Sequence, residues 1–507
     1  SPHAIMGSRD GFRMGDAKLI DSLIGSTGHT SHMFNYWADV LRLSDNVKGR
    51  LTAEAYEEWL KKQLQANTPY DQMVRNLLTT DGGVWDSGSI GFWQRDENKL
   101  DHLAYTVQVF LGTSIVCAQC HDHPFDKWTQ MDYYHMAAFT WGMNTKSKSY
   151  DFFQKKAQAP EIDKAALKNM DKKERKEYLA KFQKDKKSAV AEVSREDLQK
   201  IKQSMQDVMK PLRYTSAEWE EGKLPALPHD YKYTNAKPGD KVEPKAMFGP
   251  KIEAKEGQST IETFAGWMTS PENPRFTTVI ANRMWKKAFG IGLIEPVDSL
   301  SPVNRPENPE LLAFLTHTMA RLGYDERAYL AVLLNSRLYQ SEPVRIEPEP
   351  GSPFTFAGPL LRRLSAEQIW DSLLTLLVED LDERKPLRDD QGAISRERLV
   401  QLTNMSADEL LQRSQVMMEF REQQRKHNID VAARKAALQA ATEKGDDAAI
   451  RQIQQASTAA NARFEQLRQA SGMGGPAAAK ETDPRWAKTH PSFIRAAEIL
   501  TPIPLGH

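Results

Sequence analysis

Cysteine is almost missing from this chain. Cys117 and Cys120 are the only two among 507 residues. No second Cys pair exists to complete the two-segment ligand set on which structural zinc sites usually draw. Excess charge is missing too. Lys plus Arg and Asp plus Glu number 68 each, which gives no support to a nucleic-acid partner, because such a surface is normally basic. No apolar run approaches the length of a membrane span. There is no Gly-x-Ser-x-Gly elbow, no His-Glu-x-x-His helix, no Gly-x-Gly-x-x-Gly turn and no phosphate loop, so two common hydrolase readings lose their support. What remains has the composition of a globular protein, 40% hydrophobic and 27% charged. Its length predicts two to four domains.

The two cysteines fall in one short stretch, Cys117-Ala-Gln-Cys-His-Asp-His123. Two thiols spaced Cys-x-x-Cys and followed at once by histidine form the attachment signature of a c-type haem. Three positions along roughly one helical turn let both sulfurs reach the vinyl groups on one porphyrin edge. His121 follows closely enough to serve as the proximal axial ligand. The same residues admit other chemistry. Cys117, Cys120, His121 and His123 offer four ligands to zinc or another transition metal. A dithiol redox pair needs only the thiols, and a plain disulfide needs no cofactor at all. Asp122 and Asp126 flank the histidines as alternative metal ligands, as acid and base, or as caps of the turn at His123-Pro124. His123 lies too near to reach the opposite face of the same iron, and is expected to hydrogen-bond a propionate or Asp126. A distal ligand must come from His29, His32, His102, His135, His317 or one of 18 methionines. The sequence does not choose among them.

Apolar spacing predicts a mainly α fold: a multi-helix, two-domain assembly with a small β-rich insertion and a long helical hairpin near the C-terminus. Residues 15–150 form a helical domain carrying the motif, with helices expected over 17–24, 32–43, 52–65, 72–80 and 100–111. Aromatic residues crowd 125–141, as a porphyrin lining or an ordinary core would require. Residues 151–221 are a Lys/Glu-rich helical insertion, read as a solvated surface rather than a binding face. In 222–259 Tyr231, Tyr233, Val242 and Phe248 alternate with polar residues among Pro and Gly, which predicts a small antiparallel β unit. Residues 260–404 form a second helical domain, 405–470 a hairpin broken near Gly445, and 471–507 a linker with a C-terminal segment of the second domain. The chain begins Ser1-Pro2-His3 and ends Leu505-Gly506-His507, so both ends read as cuts in a longer protein.

Several stretches together resemble a known family. Phe110-Leu111-Gly112, then Cys117 through Gln130 with His-Pro-Phe-Asp-Lys-Trp at 123–128, and Asp132-Tyr133-Tyr134 are similar to the first of two paired domains of unknown function. These are abundant in planctomycetes and related bacteria, often behind a cytochrome c domain. Thr269-Ser-Pro-Glu-Asn-Pro-Arg-Phe276, Asn282-Arg-Met-Trp285 and 289–298 resemble the start of the second domain. Asn308-Pro309-Glu310, the run 336–341 and 363–368 continue the likeness. It leaves out chiefly 151–210 and 415–480. The resemblance implies an exported bacterial protein, periplasmic or otherwise outside the cytoplasm and frequently found with cytochrome modules, and it leaves the activity open.

The sequence therefore points first to an exported c-type haem protein with an electron-transfer or redox role, partnered by a redox protein or cytochrome domain, with no nucleic acid. The alternatives are a haem- or metal-dependent enzyme acting on a polar substrate, such as a carbohydrate, and a non-catalytic scaffold with a disulfide at Cys-x-x-Cys. In the second domain Arg283, Asn282 and Trp285 are candidates for a polar pocket, and Arg275, Glu295 and Asp298 lie embedded in the same apolar sequence. Burial of the aromatics predicts that the two domains pack together near 117–123. Arg283 then neutralises a haem propionate, Asp122 or Asp126, or else pairs with Glu295 or Asp298 inside its own domain.

Overall fold

The structure is a computed structural model. It describes residues 16–43, 50–84, 86–96, 98–145, 174–175, 178, 215–250, 252, 256–345, 356–384, 401–402, 404–470 and 493–499. The expected insertion over 151–221 and the linker after 470 lie largely outside those residues.

The fold is mainly helical. Among the described residues seven helices come first: α1 (Asp16–Ile24), α2 (Thr27–Val40), α3 (Arg50–Gln65), α4 (Tyr70–Leu78), α5 (Ile90–Gln94), α6 (Lys99–Leu111) and α7 (Gln130–Ala138). Five follow the β region: α8 (Thr260–Met268), α9 (Phe276–Phe289), α10 (Pro309–Arg321), α11 (Glu326–Leu334) and α12 (Ala366–Leu377). Then come α13 (Ala407–Lys444), α14 (Asp447–Ala470) and the short α15 (Ala496–Ile499). Their starts are written in the sequence. Thr129 with Asp132, Ser259 with Glu262, Ser365 with Gln368 and Ser406 with Glu409 each form a reciprocal capping box, satisfying donors that the first turn cannot pair internally. Asn308 caps α10, and Pro309 takes its first position, where a missing N–H costs nothing.

The β structure is small and differs in place from its expected range. Strand β3 (Ser216–Trp219) sits between β1 (Gly82–Gly83) and β2 (Met143–Asn144), antiparallel to both. Gly82 faces Ala217, and Met143 faces Trp219. Within 222–259 the described residues contain only an isolated bridge between Ala226 and Lys241. Pro225, Pro228, Pro238 and Pro244 remove ladder donors there, so the chain turns instead of pairing.

The chain divides into two compact units. One comprises 1–146, 214–393 and 481–507, so it holds both the motif-bearing helices and α8–α12. Its core is aromatic: Trp37 stacks on Tyr70 at 5.2 Å, and Tyr70 on Phe276 at 5.3 Å. All three are buried. The other unit comprises 147–213 and 394–480. Its described part is the hairpin of α13 and α14, which turns at Gly445 and places Phe464 5.7 Å from Phe420.

Gly112 marks where the two helical segments of the first unit meet. It ends α6 with φ of 55°, and its carbonyl accepts from Leu300 N at 2.7 Å. A Cβ there would lie 2.8 Å from Val279 Cγ2 and 2.9 Å from Leu300 Cγ. Positive φ and close approach both demand glycine. Gly112→Ala is therefore expected to destabilise this unit by about 2 kcal/mol, measured as a lowered thermal midpoint at constant far-UV ellipticity. An unchanged midpoint contradicts the packing described.

Candidate functional site

The Cys-x-x-Cys-His stretch forms one 3-10 turn over Val116–Gln119. Ile115 and Ala118 are fully buried and pin the turn to the core. Val116, Cys120 and His121 are exposed, and Cys117 is half-buried. The Cys117 carbonyl accepts weakly from Cys120 N at 3.3 Å and His121 N at 3.4 Å. Both thiols are free. The result is a turn anchored from below that brings two thiols and an imidazole to the surface, Cys117 half-buried and Cys120 and His121 exposed.

The residues after it fasten the turn. Asp122 N donates to Tyr233 Oη at 2.7 Å, and Asp122 Oδ1 accepts from Gln130 N at 2.8 Å, at the start of α7. The buried Gln130 side chain donates to the Gln119 carbonyl at 3.0 Å. His121 Nδ1 lies 2.8 Å from the Asp122 carbonyl, so Nδ1 is the donor and, in the neutral ring, Nε2 is the nitrogen left to ligate. His123 Nδ1 accepts from Phe125 N at 3.2 Å, and Asp126 Oδ1 from Lys127 N at 2.7 Å. His123, Asp122 and Asp126, the alternative metal ligands of the sequence reading, thus each hold local backbone. Among the described residues no three His, Cys, Asp or Glu side chains are grouped to hold a metal. Phe125 stands 88% exposed at the tip.

The other histidines are placed elsewhere. His102 is buried on α6, stacked 4.3 Å from Trp93 with Nε2 3.2 Å from the Phe92 carbonyl. His29 and His32 lie on α2, where His32 Nε2 is 2.9 Å from Lys287 Nζ. His135 Nδ1 meets the Glu243 carbonyl at 2.7 Å, and His317 is exposed on α10.

The second-domain candidates are brought to backbone and core rather than to the turn. Asn282 clamps the following loop, donating to the Ile294 carbonyl at 2.8 Å and accepting from Leu293 N at 2.7 Å. Trp285 stacks on Phe289 at 4.0 Å. Arg283 is buried and donates to the Val109 carbonyl at 3.0 Å. Burial works against its charge, the Tyr36 and Tyr70 hydroxyls and the Asp298 carboxylate favour it, and Glu295 pairs instead with Lys286 at 2.9 Å. Of the two partnerships the sequence left open for Arg283, the structure favours the one inside its own domain, beside Asp298, over Asp122 or Asp126.

Arg275 occupies that place. It donates to Thr113 Oγ1 at 2.9 Å and the Leu300 carbonyl at 2.7 Å, and its guanidinium lies over the rings of Phe248 and Trp128, 4.9 and 5.7 Å from their centroids. Burial lowers its pKa, and the Asp126 charge opposes that shift. Asn273 sets the position: Oδ1 accepts from Arg275 N at 3.0 Å and Phe276 N at 3.3 Å, starting α9.

A second polar cluster escaped the sequence reading, because its members are scattered along the chain. Lys287 Nζ sits 4.2 Å over the Tyr36 ring beside His32, and Glu326 accepts from Trp37 Nε1 at 3.1 Å. Burial lowers Lys287 to about 7 and raises Glu326 to about 7.

Comparison with known proteins now places the chain. Residues 9–145 match a protein of unknown function, DUF1549 (PSCyt2), and residues 262–479 match a protein of unknown function, DUF1553 (PSD1). The chain belongs to this paired-domain family. Its DUF1549 domain holds the Cys-x-x-Cys-His turn. Its DUF1553 domain contributes Arg275 and Arg283, and the match runs on through α13 and α14, which the motif resemblance had left out. No curated protein and no solved structure matches the chain.

Burial, reinforced by neighbouring cations, lowers the pKa of His29 to about 4 and those of His32 and His102 to about 3. These folded values lie below the unfolded value of about 6.5. Their stabilisation is therefore complete above that pH and is lost as pH falls toward 3–4. Glu326, raised to about 7, acts in the opposite sense between 7 and its unfolded value, one group against three. The thermal midpoint should fall on acidification from pH 6.5 to 4, and His102→Gln should shallow that slope. A midpoint independent of pH in this window excludes the neutral buried histidines.

Proposed function

We propose that the chain is an exported c-type haem protein with an electron-transfer or redox role, haem being joined to Cys117 and Cys120 with His121 as axial ligand. The observation that supports this reading is the construction of the turn. Ile115 and Ala118 anchor it, both sulfurs are free thiols, and the Asp122 carbonyl holds His121 Nδ1 so that Nε2 is left to ligate. Each thiol can add across one vinyl group, sulfur to one carbon and hydrogen to the other, with no leaving group and no oxidant. Bound haem would supply one-electron chemistry through its iron. The protein's own residues provide attachment and orientation, and exposure of Cys120 and His121 leaves room for the macrocycle outside the core.

Zinc is the weaker alternative, because His123 Nδ1, Asp122 Oδ1 and Asp126 Oδ1 already accept from backbone N–H groups. The implied compartment is the periplasm or beyond, where c-type maturation occurs, and the implied partner is a redox protein or a cytochrome domain. Among the described residues no helix is long and apolar enough to cross a membrane.

Expression in a periplasm supplied with c-type maturation machinery should add the mass of one haem per chain and give a pyridine haemochrome band. Cys117→Ala or Cys120→Ala should lower the yield of attached haem, and the double variant should abolish it. Protein recovered folded at the unmodified mass under those conditions overturns the reading.

A further inference from the structure

The first unit contains a cavity of about 500 Å3, within the range typical of small-molecule sites, walled by Phe139, Met247, Phe248, Pro250, Ile252 and Thr263. It lies apart from the thiols and rests on none of the haem chemistry above. Two of its walls are flat rings, and they are the ends of one continuous run. Phe139 meets Phe264 at 5.4 Å, Phe264 meets Trp267 at 5.8 Å, and Trp267 meets Phe248 at 5.5 Å. Such a wall suits the face or edge of another ring.

Its polar groups are few and specific. Lys245 is exposed and is the one charged residue among the described lining residues. Its backbone N–H reaches the His135 carbonyl at 3.4 Å, which ties this segment to α7. Behind the rings, Trp267 is 5% exposed, and its indole N–H has no acceptor among the described residues. That nitrogen faces Gly249, a lining residue with φ of 76° on which a Cβ would lie only 3.6 Å away.

The hydroxyls of the lining are already committed. Thr260 donates to Glu221, and Thr263 Oγ1 donates to the Ser259 carbonyl at 2.9 Å. Beside Lys245 and Gln258, few side-chain donors line the cavity for a polyhydroxylated ligand, which a site must satisfy at many points. We propose that this cavity binds a planar aromatic carboxylate, its ring lodged between Phe139 and Phe248 and its anion anchored by Lys245.

Isothermal titration of the full chain with 2-naphthoate is the test, with naphthalene-2-carboxamide as neutral control. The acid should bind saturably at one site, and the carboxamide about threefold to fivefold more weakly, as loss of a partly exposed ion pair predicts. Lys245→Gln should lower affinity for the acid by a similar factor and leave the carboxamide unchanged. Ile252→Trp, which fills the cavity from its rim, should remove binding of both, and Thr263→Phe serves the same purpose from α8 if the first variant fails to fold by circular dichroism. No saturable binding at millimolar naphthoate, equal affinity for acid and amide, or binding undiminished in a folded cavity-filling variant would overturn the proposal.

Discussion

The guanidinium of Arg275 is the constraint on which the described site depends. It is half-buried at the point where the end of α6, the start of α9 and the loop after the Cys-x-x-Cys-His turn come together, and it serves all three. Its N–H groups take Thr113 Oγ1 and the Leu300 carbonyl, while its planar face covers Phe248 and lies over Trp128. A lysine in its place would carry the charge but lacks the fork that meets two oxygens and the flat face that lies on rings. Burial works against its charge, and guanidinium is the one cationic group whose intrinsic pKa is high enough to stay ionised regardless. The turn can be exposed and still ordered because its fastening lies underneath, in Arg275, Gln130 and Tyr233, rather than in the turn itself.

Much of this was legible in the sequence where the cause is local. The Cys-x-x-Cys-His turn is contiguous, so spacing alone places its groups together. Helix starts were legible because a cap and its reciprocal partner stand three residues apart, as Ser259 and Glu262 do. The helical hairpin was legible because Gly445 interrupts two long runs of helix formers. Where the cause is distant, the sequence misled. Strand β3 exists because Gly82–Gly83 and Met143–Asn144 offer it edges from far along the chain, whereas the local alternation over 222–259 lost to its prolines. Arg275 and Arg283 are alike in sequence, both polar residues embedded in apolar stretches. Only the packing of α9 against α6 sends Arg283 inward to the Val109 carbonyl and Arg275 to the side of Trp128. The cluster of His32, Lys287 and Glu326 has no local signature at all.

The separation of roles between exposed turn and buried support has a chemical consequence. A cofactor attached at Cys117 and Cys120 would be joined after the chain has its thiols free, and so the sulfurs must be reachable by a bulky planar molecule. Fully buried cysteines would pack well and react poorly. Here Ala118 and Ile115 carry the packing, which frees the cysteines from it. His121 is likewise held through Nδ1 by a carbonyl of the next residue, so its orientation does not depend on burial.

Trp128 connects that turn to the rest of the unit. It closes the stretch begun at Cys117, is 2% exposed, and meets Phe248 at 5.7 Å. Phe248 in turn meets Trp267 and forms a wall of the 500 Å3 cavity. One ring therefore touches both the support of the turn and the lining of the cavity. Close-packed aromatic contacts of this kind do not deform smoothly, because a ring displaced by a fraction of an ångström forfeits much of its contact on both faces. Any molecule that shifts Phe248 must be accommodated by Trp128 or by Arg275, whose guanidinium rests on both rings. Turn and cavity thus share a packing contact at Phe248, which is as much a part of the support of one as of the wall of the other.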